Sequence, residues 1–152
     1  MGIAKELTVV DLDPAAAFRL WTDPRRWPSF VDGFAHVDRL DDTWPAEGAK
    51  LRWRSVPAGR GLVTEKVVVS DPDRRFVTQV VEERMTGSQA VRFEPEEDGG
   101  GTLVSIELDY ALVKGGPLSG ITDVLFIRRA LTDALRRTLR RFATEAAEDA
   151  SM

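Results

Sequence analysis

The chain has 152 residues and a formal charge of −4, from 21 basic and 25 acidic side chains, with one histidine and no cysteine. That length supports one domain with a sizeable core, while the missing cysteines exclude disulfide frameworks, thiolate metal sites and cysteine nucleophiles, and a lone histidine excludes a histidine-rich metal centre. The arginine pairs Arg25-Arg26, Arg74-Arg75, Arg128-Arg129, Arg136-Arg137 and Arg140-Arg141 are scattered among acids instead of forming one stripe, which argues against nucleic acid as a partner.

The first ten residues lack the basic start and continuous apolar run of a secretory signal, and no later stretch approaches the ~20 apolar residues that span a bilayer. A cytoplasmic protein without integral membrane association is expected. Residues 3–12 carry the β-branched content of a strand, which Asp13-Pro14 stops with an N-cap side chain and a proline suited to a first helical turn. A short helix follows from 14 to about 22, and Asp23-Pro24 repeats the device to start a second short helix ending near Gly33.

From residue 34 the period changes. Segments near 34–41, 49–56, 61–70, 75–83, 87–95 and 102–113 are separated by turn formers such as Pro57-Ala58-Gly59, Asp71-Pro72-Asp73 and Asp98-Gly99-Gly100-Gly101, so six further strands with antiparallel neighbours are expected. The last alternates most clearly, with Val104, Ile106, Leu108, Tyr110 and Leu112 on one face and Ser105, Glu107 and Asp109 on the other. After Gly115-Gly116-Pro117 a helix of about thirty residues begins, long enough at ~1.5 Å per residue to cover the apolar face of the sheet. At ~100° per residue its buried stripe reads Ile121, Val124, Leu125, Arg128, Leu131, Leu135, Leu139 and Phe142. The domain is expected to end near residue 143, with 144–152 a frayed tail.

This order, together with the run from Asp13-Pro14 through Trp21, Asp23-Pro24 and Trp27-Pro28, the Glu65 segment before Asp71-Pro72-Asp73-Arg74-Arg75-Phe76, and Gly99-Gly100-Gly101-Thr102, resembles the START-like superfamily, also called SRPBCC. The superfamily includes polyketide cyclases and dehydrases, lipid carriers and pollen allergens. The resemblance covers almost the whole chain and implies an α+β helix-grip fold: a curved seven-stranded antiparallel sheet around a long C-terminal helix, with two short helices after the first strand. It also implies a deep cavity between sheet and helix for a hydrophobic or amphipathic small molecule. No cofactor or metal is expected.

Strand alternation gives that cavity its lining. Lys66 places Leu62, Thr64 and Val68 toward water and turns Val63, Glu65, Val67 and Val69 inward; Gln89, Val91 and Phe93 face the helix in the sixth strand, and Leu51, Trp53 and Ser55 in the third. The faces of strands 34–41 and 75–83 stay open. Expected ligand contacts are Trp27, Phe30, Trp53, Glu65, Gln89, Val91, Phe93, Ile106, Leu108, Tyr110, Leu125 and Arg128, mostly apolar walls with a few orienting groups. Glu65 and Arg128 facing one cavity would each need a partner, which leaves ligand anchoring, a structural ion pair or a snorkelling Arg128 as alternatives.

Two functional classes follow. One is a carrier or binding protein that sequesters a lipid-like or polyketide-like metabolite. The other is an aromatase, cyclase or dehydratase, with Glu65 as a base and Tyr110 or Arg128 stabilising an enolate. A third class, regulation by protein contact, has no residue that selects it. His36 has no predictable catalytic partner, and no GxSxG turn is present. Monomer and homodimer are both compatible with the sequence.

Overall fold

The computed structural model describes residues 1–113 and 121–152, the side chains of 121–123 excepted. Its strands are β1 (Gly2–Val10), β2 (Phe34–Leu40), β3 (Lys50–Ser55), β4 (Leu62–Asp71), β5 (Arg75–Val81), β6 (Met85–Pro95) and β7 (Thr102–Leu112). They form one antiparallel sheet in the order β1-β7-β6-β5-β4-β3-β2. The chain therefore meanders from β2 to β7, and β1 joins at the far edge. Between β1 and β2 lie α1 (Pro14–Trp21), a 3-10 turn (Pro24–Arg26) and α2 (Trp27–Phe30), and α3 (Ile121–Ala150) packs on the sheet, with its closest strand neighbour β1. This is the helix-grip architecture expected from the sequence. The Gly115-Gly116-Pro117 start expected for the last helix lies outside the described residues.

Local chemistry sets these boundaries. Asp13 caps α1 by accepting the Ala16 amide at 2.8 Å, and Asp23 accepts the Arg25 amide at 3.1 Å. The second short helix expected after Asp23 splits into two pieces because Pro28 has no N–H to donate to the carbonyl of Pro24, which takes the Trp27 amide instead. Gly33 ends the segment at φ +73°, a conformation that glycine adopts without a Cβ penalty.

The inward faces of β3, β4, β6 and β7 follow the alternation, except that a bulge between Val67 and Val69 leaves Val69 only half-buried. β5 turns Phe76, Thr78 and Val80 inward and Glu82 follows them, whereas His36 on β2 is exposed. Aromatic rings fill much of the concave side. Trp21, Phe30 and Phe142 have centroids 5.1 to 5.6 Å apart, and Phe18 meets Phe76 and Phe93 edge-on at 5.9 and 5.5 Å.

Two expectations for α3 are corrected. Its buried stripe runs through Ile127, Leu131, Leu135, Thr138, Leu139, Phe142 and Ala146, while Val124, Leu125 and Arg128 are exposed. Ile127 and Arg128 flank the line through Leu131 at similar angles, and burying isoleucine avoids desolvating a guanidinium. Nor is the segment 144–152 without contacts on the rest of the fold. The helix continues to Ala150, Ala146 is fully buried, and Glu145 and Asp149 hold Arg26 at 3.0 and 2.8 Å.

Candidate functional site

Three neighbouring strands bring a polar cluster onto the apolar concave face. Glu65 of β4 is buried and accepts one hydrogen bond at each oxygen: Trp53 Nε1–H of β3 donates to Oε2 at 2.9 Å, and Thr78 Oγ1–H of β5 donates to Oε1 at 3.1 Å. Burial pushes the Glu65 carboxyl above its ordinary value, opposed in part by the Trp53 bond, the charge of Arg60 and the Thr78 bond. Both of its direct donors are neutral.

Arg60 comes from the loop joining β3 to β4. Ser55 shapes that loop by accepting the Gly61 amide at 2.8 Å and donating to the Val56 carbonyl at 2.9 Å. The Arg60 guanidinium stands 5.6 Å from the centroid of the Trp53 ring and donates through Nε to the carboxylate of Glu82, whose side chain is 2% exposed. Its Nη2 is buried with no hydrogen-bond partner among the described residues. A buried guanidinium nitrogen in that condition costs more than an ordinary lost hydrogen bond.

Trp53, Arg60 and Glu65 line a hollow of about 40 Å³ between sheet and α3, walled also by Trp21, Trp27, Gln89, Ile106, Leu135 and Thr138. At its α2 end the Asp32 amide donates to Thr138 Oγ1 at 3.0 Å, and the Asp32 carboxylate accepts from Arg137 at 3.0 and 3.1 Å and from Arg141 at 3.2 Å. Burial would raise the Asp32 carboxyl, but the two arginines outweigh it and hold it below its ordinary value. The hollow has room for a water or two, against ~300 Å³ or more for a usual ligand pocket. The deep cavity expected from the resemblance is filled here by Trp21, Trp27, Trp53 and the phenylalanine rings around them. A groove of about 570 Å³ beside α1, lined by Phe18, Trp44, Pro45 and Pro72, is larger but lies on the surface and has no comparable buried polar cluster among the described residues.

Of the residues expected to meet a ligand, Trp27, Trp53, Glu65, Gln89 and Ile106 line this hollow. Phe30, Val91, Phe93 and Leu108 are buried in the surrounding core. Tyr110 is buried against Gly2 at the β1–β7 end and away from Glu65, with burial raising its phenol and Arg128 pulling it back. Leu125 and Arg128 are exposed and do not line the hollow, so Arg128 does not share a cavity with Glu65 as expected from the sequence; the positive charge that acts on Glu65 is that of Arg60. The sequence offers no sign of Arg60, which stands between two glycines in a turn, or of Thr78, whose strand face it leaves open. Among the described residues no group of three His, Cys, Asp or Glu side chains is placed to share a metal ion, and no helix is long and apolar enough to cross a membrane.

Comparison with solved structures shows the same fold across bacteria. A START superfamily protein from Mycobacterium smegmatis superposes with a TM-score of 0.74 at 11% identity, covering 95% of this chain and 96% of the other. A protein from Thermus thermophilus gives 0.72 at 18% identity, with 95% and 97% covered, and one from Deinococcus radiodurans gives 0.63 at 22% identity, with 95% and 96% covered. No protein of curated function matches the chain. Residues 3–147 match the family described as polyketide cyclase / dehydrase and lipid transport, and the chain belongs to that family.

Proposed function

We propose that this chain binds or transports a hydrophobic or amphipathic small molecule, lipid-like or polyketide-like, between the concave face of the sheet and α3. Family and fold point to a ligand-binding domain of the START and polyketide cyclase type. The observation that carries the reading is the buried Arg60 Nη2 without a partner, beside Glu65, on a face built mostly of apolar side chains. A core selected only for stability gains nothing from such a group, whereas a binding site uses it to orient the polar end of a ligand. Burial of the rest of the ligand supplies ~25 cal/mol per Å² of apolar surface. A full-sized ligand requires α3 and the side chains under it to move outward, because the hollow is only about 40 Å³.

Nile red, an apolar dye, tests the reading. It should bind the purified protein saturably, and Leu135→Trp, which places an indole into the hollow, should remove that binding. Dye binding unchanged by Leu135→Trp would place the apolar site elsewhere and defeat the proposal. Extraction of the purified protein followed by mass spectrometry should identify the natural cargo.

One observation favours a second reading, an aromatase/cyclase or dehydratase acting in the same place. Glu65 is buried with its carboxyl raised toward neutrality, the direction a general acid or base needs. Incubation with the extracted cargo separates the two: a carrier returns it unchanged, while an enzyme converts it and loses turnover in Glu65→Gln.

A further inference from the structure

The polar end of the hollow also bears on what kind of oxygen it accepts, an inference that rests on the binding reading above. Among the described residues the ionisable groups there are Glu65 and Glu82, both buried, and Arg60, whose side chain is 22% exposed: two acids facing one base. Arg60 Nε is committed to Glu82, and of its remaining donors Nη2 is the buried one without a partner, the one a ligand meets. Asp32 also lines the hollow, but its carboxylate is held by Arg137 and Arg141, whose side chains are 47% and 49% exposed and stand in solvent. A ligand carboxylate brought to Arg60 would place a third acid beside a single base, and burying that extra charge is unfavourable unless a proton is taken up with it. A neutral oxygen needs only the one donor. Gln89, on the same wall, supplies a further amide that both donates and accepts.

We infer that the ligand meets Arg60 through a neutral carbonyl oxygen, as in a ketone, ester or amide, and that the Arg60, Glu65 and Glu82 cluster selects against fatty acids and other carboxylates. Trp53 is built into the cluster, hydrogen-bonded to Glu65 and flanked by Arg60, so its fluorescence reports occupancy. The raised Glu65 carboxyl agrees with a site already poor in compensating positive charge.

The test titrates the unaltered protein with three probes of equal chain length: an alkane, a methyl ketone and a fatty acid carboxylate. The ketone should bind at least about tenfold more tightly than the carboxylate at neutral pH, because the carboxylate must bury an extra charge, and about tenfold more tightly than the alkane, the gain of one hydrogen bond to a charged donor. In the double variant Arg60→Met/Glu82→Gln, which removes both members of the pair together, the ketone should lose about tenfold while the alkane is unchanged. A carboxylate that binds as well as the ketone overturns the inference, as does a ketone affinity that survives the double variant. Alkane binding with no ketone advantage overturns this inference alone. Failure of all three probes overturns the binding reading and the inference with it.

Discussion

At the scale of single residues, Glu65 couples folding to pH. Its carboxyl is raised by burial above the ordinary 4.5, so the folded chain holds this proton to a higher pH than the unfolded chain does. The linked stability is complete below 4.5 and is lost as pH rises from there through the folded value. Urea unfolding measured from about pH 4 to pH 8 should show this decline, and Glu65→Gln should flatten it. Trp53→Phe leaves Glu65 Oε2 without its donor and removes part of a buried ring, and should cost about 1–3 kcal/mol in the same unfolding measurement. Glu65 itself is legible in the sequence, because Lys66 must face water and alternation then turns its neighbour inward. Arg60 is not, since no periodicity operates in a turn, and its burial depends on Glu82 and Trp53 arriving from other strands.

Among the elements, α3 is held at its second half. The described ion pairs that tie it to the rest of the fold use Arg136, Arg137, Arg141, Glu145 and Asp149, and Phe142 adds its ring to Trp21 and Phe30. Nearer its start, Val124, Leu125 and Phe126 are exposed and Ile127 is the first described residue to be buried. Arg26→Ala removes the partner of both Glu145 and Asp149. It should lower stability by about 1 kcal/mol and speed amide exchange in residues 145–150, because these pairs are partly exposed and worth little singly. On the sheet, β6 passes so close to β7 at Gly87 that an added Cβ would stand 2.6 Å from the Asp109 carbonyl oxygen and 3.1 Å from Tyr110 Cα. Both neighbours are backbone and cannot rotate away, so Gly87→Ala should cost about 1–3 kcal/mol, visible as a lower unfolding midpoint. The helix stripe is legible from Leu131 onward. Before that point the sequence offers Ile127 and Arg128 as near-equivalent choices, and only the docking of the whole helix against β1 decides between them.

Over the whole molecule, the meander from β2 to β7, the pair of short helices and the covering helix follow from turn chemistry and period, which are local signals, whereas the pairing of β1 with β7 does not. The volume left under α3 does not, because it is a small difference between the span of the sheet and the summed bulk of aromatic rings that meet from distant parts of the chain. If α3 moves outward to admit a ligand, saturation with a bound probe such as Nile red should slow amide exchange along Ile127 to Leu135; exchange unchanged by the dye would mean that the helix does not cover the site. A meander ordered from β1 to β2 also leaves two borders. At one of them, β2 breaks register after Phe34 and again after Val37 and sets His36, Asp38 and Arg39 in solvent. Kinked and charged, that border offers a poor template for strand addition, so concentrated solutions of the folded protein should remain free of fibrils even though six of its seven strands follow one another without an intervening helix.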